Sequence, residues 1–571
     1  MRSITSTALY DTVITVSYNA VDVIERTIQS VARQRYDDYE YIIVDGNSND
    51  GTVDVIKRNT DNITKWMSEP DCGIYNAMNK AVRMACGEYC IFMNAGDMFA
   101  TPLAMKAASL FLDDDFDVVT GREISTKSGK VIGYVVPPTE ATLSHFYKTS
   151  ISHQSSFIKR SLLLECPYDE DLRLVSDWKF WLKTIVLGGK SYRSIDVDIS
   201  IFNHDGATFN SYGLGKKERL QVLEELLPVA VRMGYDRTVA TNMVAKLWLR
   251  IQSKMKKIIK TAEIMKKMKT AGGYFNVMGI DGIVPVIGQL LCLFGIRCGK
   301  IMTQNSIARY MSRKYHGYID KASEIEKGGL GFYPIWVCWW QGEQMMPLVP
   351  KLCLKQLKKN VNNSQRIVVL SEKNYRDYVD LPSYVIEKLN KGKISITNFS
   401  DVLRYALLTK YGGLWIDSTC YTTANLPDLN NIPYYTSKQR KHDDATYISR
   451  YRWASYLMGG MSNQIFVNER NLFFEYLEKE NRFVDYLLLD YFLNLIYSQS
   501  GTCREMMDKC PYYNENILEM ASKLNDAYND TLWNTILSMD TIHKLSWKLR
   551  YDMYDKNTGG MTVFGKIVDL A

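Results

Sequence analysis

The stretch "QSVARQRYDDYEYIIVDGNSNDGT" (29–52) decides the fold class. It closes a helix, crosses a buried strand, "YEYIIVD" (39–45), and ends in a turn of small polar residues, "NSNDGT" (47–52). Upstream, "DTVITVSYN" (11–19) is a β-branched run ending in polar residues, and "VDVIERTIQSVARQ" (21–34) carries apolar residues at helical spacing. Downstream come a helix, "VDVIKRN" (53–59), a strand, "GEYCIFMNAGD" (87–97), and a helix, "PLAMKAASLFLDD" (102–114). This alternation predicts an α/β domain on a mostly parallel sheet, binding ligands at the carboxyl ends of its strands.

A chain of 571 residues is too long for one hydrophobic core, so several domains are expected. The strand–helix alternation fills the first two hundred residues, the pattern turns helical from about Leu220 to Ser323, and a new α/β pattern starts at Pro334. The predicted division is 1–215, a helical region over 216–325, and 326–571. The two α/β parts share no clear sequence repeat.

Composition excludes several classes. Eleven cysteines without a Cys-x-x-Cys pair, and only six histidines, fit reduced thiols in a cytoplasmic compartment. They argue against a disulfide framework and against a zinc site. The N-terminus lacks the apolar run of a signal peptide. The longest apolar stretch, "GIVPVIGQLLCLFGI" (282–296), contains a proline and is short for a bilayer, so a soluble or peripheral protein is expected. The 38 tyrosines and 11 tryptophans suit sugar or base stacking, and equally suit a core. The net charge of +7 resides in one segment: residues 243–269 hold nine Lys or Arg and one acid. Nucleic acid is not expected as a partner, because no binding motif accompanies that charge.

Carboxylates gather at predicted strand ends. Asp45, Asp71, Asn94 and Asp97 follow strands or turns of the first domain, where they suit a nucleoside, a diphosphate and a hard divalent ion with oxygen ligands. Taken singly, Asp45 and Asp97 read rather as strand-end turn residues. Asp177 opens an amphipathic helix, where an acid can deprotonate an acceptor hydroxyl or simply cap the helix behind Ser176. His153 is either a contact for acceptor or diphosphate or a satisfied core histidine. His204, in "NHDG", is such a contact or part of a turn.

The order of these motifs resembles glycosyltransferase family 2, whose members are inverting enzymes of the GT-A fold. The matching segments are "TVSYNA" (15–20), residues 29–52, "SEPDCGIYNAMNKA" (68–81), "GEYCIFMNAGD" and "SDWKFW" (176–181), which cover nearly the whole first domain. The resemblance implies donor binding by Asn19, Asp45, Asp71 and Asn94, metal ligation by Asp97, and a general-base role for Asp177. It also places His204 as a further metal or diphosphate contact. Many relatives carry consecutive acids at the metal motif, whereas here Gly96 precedes Asp97.

In the last domain, "NFSDVLRYALLTKYGGLWIDST" (398–419) reads as a helix started by Ser400 or Asp401, a glycine stop at Gly412 and Gly413, and a buried strand delivering Asp417. Arg404, one turn beyond Asp401, either pairs with it or reaches a phosphate. This stretch, "YPIWVCWWQGEQMMPLVPKLCLKQLKKN" (333–360) and "IHKLSWK" (542–548) resemble the capsular polysaccharide synthesis proteins of glycosyltransferase family 32, a retaining GT-A type. The resemblance implies donor binding by Gln341, Asp401 and Arg404, with Asp417 as catalytic metal ligand. Thr419 stands where many members have a second acid; a hydroxyl can ligate the ion or contact the diphosphate.

Together the resemblances imply a bifunctional transferase with two GT-A domains joined by a helical basic linker. One site inverts and one retains, with Mn²⁺ or Mg²⁺ as cofactor and nucleotide sugars, UDP-type first, as donors. The acceptor is a growing glycan, with a lipid-linked one favoured. A glycan-binding or scaffolding module is the alternative for the second domain. The basic stretch 243–269 favours peripheral contact with the inner face of the plasma membrane over a plain linker.

Overall fold

The computed structural model describes residues 11–113, 115–204, 212–235, 274–293, 296, 298–321, 328–440, 447–555 and 558–571. It forms two compact units, Met1–Ile251 with Asp552–Leu570, and Gln252–Tyr551. The basic stretch 243–269 lies outside the described residues.

In the first unit the strands are β1 (Asp11–Ser17), β2 (Tyr39–Asp45), β3 (Lys65–Ser68), β4 (Tyr89–Phe92), β5 (Met98–Phe99), β6 (Val118–Lys127), β7 (Lys130–Val135), β8 (Ser156–Lys159) and β9 (Tyr192–Asn203). They make one sheet in the order β3-β2-β1-β4-β8-β6-β9-β5, with β7 paired to β6. The first four strands are mutually parallel, as the alternation predicts. Beyond β4 the pairings with β8, and of β5 with β9, are antiparallel. β6 and β9 pair in parallel again, so the sheet is mixed: β8 runs opposite to both its neighbours, β4 and β6, and β5 and β7 run opposite to theirs.

The helices Ile24–Ala32 and Ile74–Met84 bury Ile24, Ile28, Val31, Met78, Ala81 and Val82 at helical spacing. Helix Tyr212–Leu226, predicted near the border of a separate helical region, joins this core through Val222 and Leu223. The chain's last segment returns here too. Helix Val563–Asp569 is capped by the Thr562 hydroxyl, and Asp569 pairs with Arg35 at 2.9 Å.

The second unit holds β10 (Tyr333–Cys338), β11 (Gln365–Leu370), β12 (Gly413–Ile416), β13 (Cys420–Thr422), β14 (Tyr435–Thr436), β15 (Leu457–Gly460) and β16 (Ile542–Lys544). Five of them form a sheet in the order β11-β10-β12-β15-β14, and β13 pairs with β16. The strands β11, β10 and β12 are mutually parallel, and the pairings of β15 with β12 and with β14 are antiparallel. Helices Ile283–Leu293 and Cys298–Tyr315 belong to this unit, the second burying Ile307, Met311 and Tyr315 in its core. The division at 215 and 325 thus differs from the packing, because apolar helix faces join whichever core covers them.

Two sequence expectations about helices change. Helix Ile396–Tyr411 starts before Ser400, because Ser395 and Asn398 form a reciprocal capping box that satisfies the first turn. The apolar run at 282–296 overlaps a helical run, Tyr274–Cys292, whose 19 residues are long and apolar enough to cross a membrane.

Candidate active sites

The parallel register places Ser17 and Ser68 on either side of Asp45. Both hydroxyls donate to its carboxylate, at 2.9 and 2.7 Å, and Ser48 adds its backbone N–H at 2.9 Å and its hydroxyl at 2.6 Å. Asp45 is wholly buried, so its carboxylate fixes the turn that follows β2. Asn19 supports the same turn, accepting from the Asn49 N–H at 3.1 Å while its own N–H donates to Ser48 Oγ at 2.8 Å.

This turn walls a cleft of about 870 Å³, whose polar lining includes Asn47, Asn49, Asp71, Asn94, Glu170 and Arg173. The exposed ring of Tyr18 also borders it. Asp71 accepts from the Gly73 N–H at 2.9 Å, and its carboxylate leaves no room for a side chain at Gly46, where a Cβ would meet Oδ2 at 2.6 Å. Asn79, on the helix behind, stitches that wall together through Tyr168 and Glu170.

Two cleft-lining residues, Asn94 and Tyr75, lead into a polar relay. Asn94 Nδ2 is 3.1 Å from His153 Nε2, and His153 Nδ1 is 3.1 Å from Asp177 Oδ2. Asp177 Oδ1 accepts from the Trp178 N–H at 2.8 Å and the Tyr75 hydroxyl at 3.3 Å. In this amide orientation His153 accepts at Nε2 and donates from Nδ1. Protonating the ring requires the amide to turn, which also pairs the buried Asn94 Oδ1, an atom without a hydrogen-bond partner among the described residues. Burial opposes a charge on His153, but the hydrogen bond to Asp177 and the charges of Asp177, Asp97 and Glu123 outweigh it and raise its pKa.

Asp97 is buried beyond β4, and burial pushes its carboxyl up to about 7 against the opposing charge of His153. The Asp97 N–H donates to Asn94 O at 2.8 Å, and carboxylate and amide oxygens of this kind are the donors that a hard divalent ion takes. Among the described residues no three His, Cys, Asp or Glu side chains converge as a ligand set. His204 stands just beyond β9, its N–H donating to Thr126 O at 2.8 Å and its ring edge-on to Phe202.

Sequence reading missed three residues here. Glu123, buried on β6, receives Ser152 Oγ at 2.6 Å and Gln154 Nε2 at 2.8 Å and so holds the turn carrying His153. Arg219 lays its guanidinium 4.6 Å over the Trp178 ring, beside Asp177. Arg173 reaches the cleft. None belongs to a local motif.

In the second unit Asp417 leaves the carboxyl end of β12, as predicted. Gly412 and Gly413 have φ of 67° and 98°, and a Cβ on Gly413 would meet Pro334 O at 2.4 Å. Arg404 lies 3.3 Å from Asp401 and 3.7 Å from Asp417, buried over the Trp415 ring. Gln341 is exposed in the turn after β10, next to β12 in the sheet.

The expected metal position is otherwise filled. Antiparallel pairing sets Lys544 opposite Cys420, and its ammonium donates to Asp417 Oδ2 at 2.8 Å and Thr419 Oγ1 at 2.6 Å. Asp417 Oδ1 accepts from the Trp415 indole at 3.0 Å. Burial alone would raise the Asp417 pKa, yet Lys544 and Arg404 hold it below the usual carboxylate range. Both carboxylate oxygens have donors and two cations balance the charge. With Lys544 in place no oxygen of Asp417 is left without a donor, so the residues as they stand do not fit the divalent ion expected on Asp417. Behind them, burial pushes Asp401 up to about 7 and Asp490 up to about 6, and Glu469 is wholly buried with both oxygens unpartnered.

Residues 12–156 match the family described as Glycosyl transferase family 2, and residues 299–567 match Capsular polysaccharide synthesis protein. An uncharacterized glycosyltransferase of Mycobacterium tuberculosis is 32% identical over 181 residues, covering 31% of this chain and 68% of that protein. The chain belongs to the glycosyltransferases of family 2. Its later half carries a capsular polysaccharide synthesis domain, and it is a glycosyltransferase of polysaccharide biosynthesis. This transferase is also similar to an Escherichia coli UDP-Glc:α-D-GlcNAc-diphosphoundecaprenol β-1,3-glucosyltransferase, 25% identical over 30% of this chain and 67% of that one. Among solved structures, a mannosyltransferase of Pyrobaculum calidifontis in complex with GDP-mannose and Mn²⁺ is 18% identical, with a TM-score of 0.32, over 39% of this chain and 64% of that one.

Proposed function

We propose that this transferase adds two sugars from nucleotide-sugar donors to a growing surface polysaccharide, the first with inversion and the second with retention. The observation that carries the first half is the relay Asn94–His153–Asp177 at the edge of the cleft. In that reaction the acceptor oxygen bonds to the anomeric carbon and its proton passes to Asp177. The bond from that carbon to the diphosphate oxygen breaks, and the nucleoside diphosphate leaves with the electron pair. A positioned base of this kind contributes about 10²- to 10⁴-fold.

Asp97 and Asn94 would hold a divalent ion, Mn²⁺ or Mg²⁺, which when bound stabilises charge on the leaving diphosphate. Tyr18, Asp71 and Arg173 face the donor; Asn19 and Asp45 shape its wall. His204 is assigned to the acceptor or diphosphate side. UDP-type donors are the first to test. The similarity to an enzyme named for a diphosphoundecaprenol acceptor supports a lipid-linked glycan acceptor. Membrane contact through 243–269 would bring the chain to such a lipid, and the exposed apolar side chains Ile280, Ile283, Ile287 and Leu290 nearby in sequence support it.

The test is a panel of nucleotide sugars assayed for hydrolysis and transfer with Asp97→Ala and Asp417→Ala separately. Each substitution is expected to remove a different donor's turnover. If Asp417→Ala leaves all turnover intact while removal of the second domain weakens acceptor binding, that domain is a glycan-binding module.

A further inference from the structure

We infer that the second domain holds its donor's diphosphate through the ammonium of Lys544, with no divalent ion between Asp417 and Thr419. The inference rests on reading that domain as a nucleotide-sugar site. An ammonium has three N–H donors; Lys544 gives one to Asp417 and one to Thr419, and no third acceptor among the described residues is in reach. It stands at the carboxyl end of β12, in the parallel part of the sheet, where α/β folds bind ligands. Its side chain keeps 20% of its surface open. A lysine so placed serves phosphate as a point charge.

The surroundings hold the ammonium in place and leave no separate position for a metal. Asp417 and Thr419 anchor it from the turn after β12, and the Leu545 N–H closes that turn on Thr419 O at 2.8 Å. Arg404 stands behind the carboxylate, 3.7 Å from Asp417 and 3.3 Å from Asp401, with Nε and Nη1 buried and without a partner among the described residues. A divalent ion on Asp417 would have to displace the Lys544 ammonium from both Asp417 and Thr419. Among the described residues no lysine hydrogen-bonds to Asp97 or Asn94, and the cations that act on Asp97 are His153 and Arg26. The two sites therefore neutralise the same leaving group by different means.

The experiment uses full-length Asp97→Ala protein stripped with EDTA and titrated calorimetrically with UDP, GDP and CDP. Binding of one of them is expected to persist in EDTA. Lys544→Met should weaken it by about tenfold or more, the effect of one charge-assisted hydrogen bond. Added Mn²⁺ should change the Lys544 protein's affinity by less than about threefold. In parallel, Mn²⁺ binding followed by electron paramagnetic resonance needs no Lys544 variant to fold. Nucleotide-dependent Mn²⁺ should vanish with Asp97→Ala alone. A nucleotide-dependent ion that survives Asp97→Ala and is lost with Asp417→Ala overturns the inference and keeps the nucleotide-sugar reading. So does binding that requires Mn²⁺ and ignores Lys544→Met. If no nucleotide binds the second domain with or without Mn²⁺, both fail.

Discussion

His153 Nδ1 lies 3.1 Å from Asp177 Oδ2, joining a turn before β8 to the first turn of helix Ser176–Trp181. Asp177 does not act as an N-cap through its side chain; its oxygens serve Trp178, Tyr75 and His153. The capping account of this residue therefore gives way to an oriented carboxylate beside a donor-sized cleft.

Asp177→Asn keeps the shape and removes the basicity. Turnover by the first domain should fall by about 10²-fold or more, while donor affinity stays within about threefold. A steady-state comparison of kcat and KM checks this; an equal rise in KM with unchanged kcat would argue for a binding role instead.

Glu123→Gln tests whether the turn carrying His153 is held from behind. Losing a charged acceptor for Ser152 and Gln154 should cost about 1.5–3 kcal/mol of local order and lower kcat without abolishing it. Glu123→Asp should recover part of the loss, and a fully active Glu123→Gln enzyme would show that this support is dispensable.

Gly46→Ala introduces a Cβ 2.6 Å from Asp71 Oδ2 and 3.3 Å from the Tyr18 ring, so these two cleft-lining side chains must shift. Nucleoside diphosphate affinity should drop, while the unfolding midpoint changes little because the clash lies at a cleft wall. Calorimetric titration with UDP reads the first effect and differential scanning calorimetry the second.

Asp490 gives a pH signature to the second unit. Burial pushes its carboxyl from 3.8 up to about 6, against a 2.8 Å hydrogen bond from Trp453 that lowers it. The folded chain holds this proton more tightly than the unfolded chain, so the resulting stability is full below pH 3.8 and is lost as pH rises to about 6. The slope in that window reaches at most about 1.4 kcal/mol per pH unit. Asp490→Asn should flatten the melting temperature across it; an unchanged slope would assign the effect to Asp401 and Glu469, which act in the same direction.

Charge reversal of Lys254, Lys256, Lys257 and Lys260 to Glu should reduce co-sedimentation with anionic vesicles and raise its salt sensitivity. Equal sedimentation of parent and variant would leave the basic stretch as a linker.

Local pattern sufficed for much of the fold. Strand β2 runs from Tyr39 to Asp45 as the alternating sequence predicts, and the double glycine at 412–413 ends its helix with positive φ. Strand ends also carry their carboxylates into place, because the chain direction at the end of a parallel strand is set by neighbouring residues. The sequence predicts a helix start at Ser400 or Asp401, but Ser395 and Asn398 offer the same capping chemistry earlier, and the folded backbone uses that cap.

The sequence by itself determined the two α/β halves, the family motifs and the candidate acids Asp97, Asp177 and Asp417. Tertiary structure alone decided what surrounds each acid. Lys544 is 127 residues from Asp417 and reaches it only through the pairing of β13 with β16. Glu123, Arg219 and the turn of His153 likewise meet through long-range sheet pairing and helix packing. A carboxylate's chemistry depends on charges within a few ångströms, and that distance is fixed by the folded register rather than by neighbours in sequence.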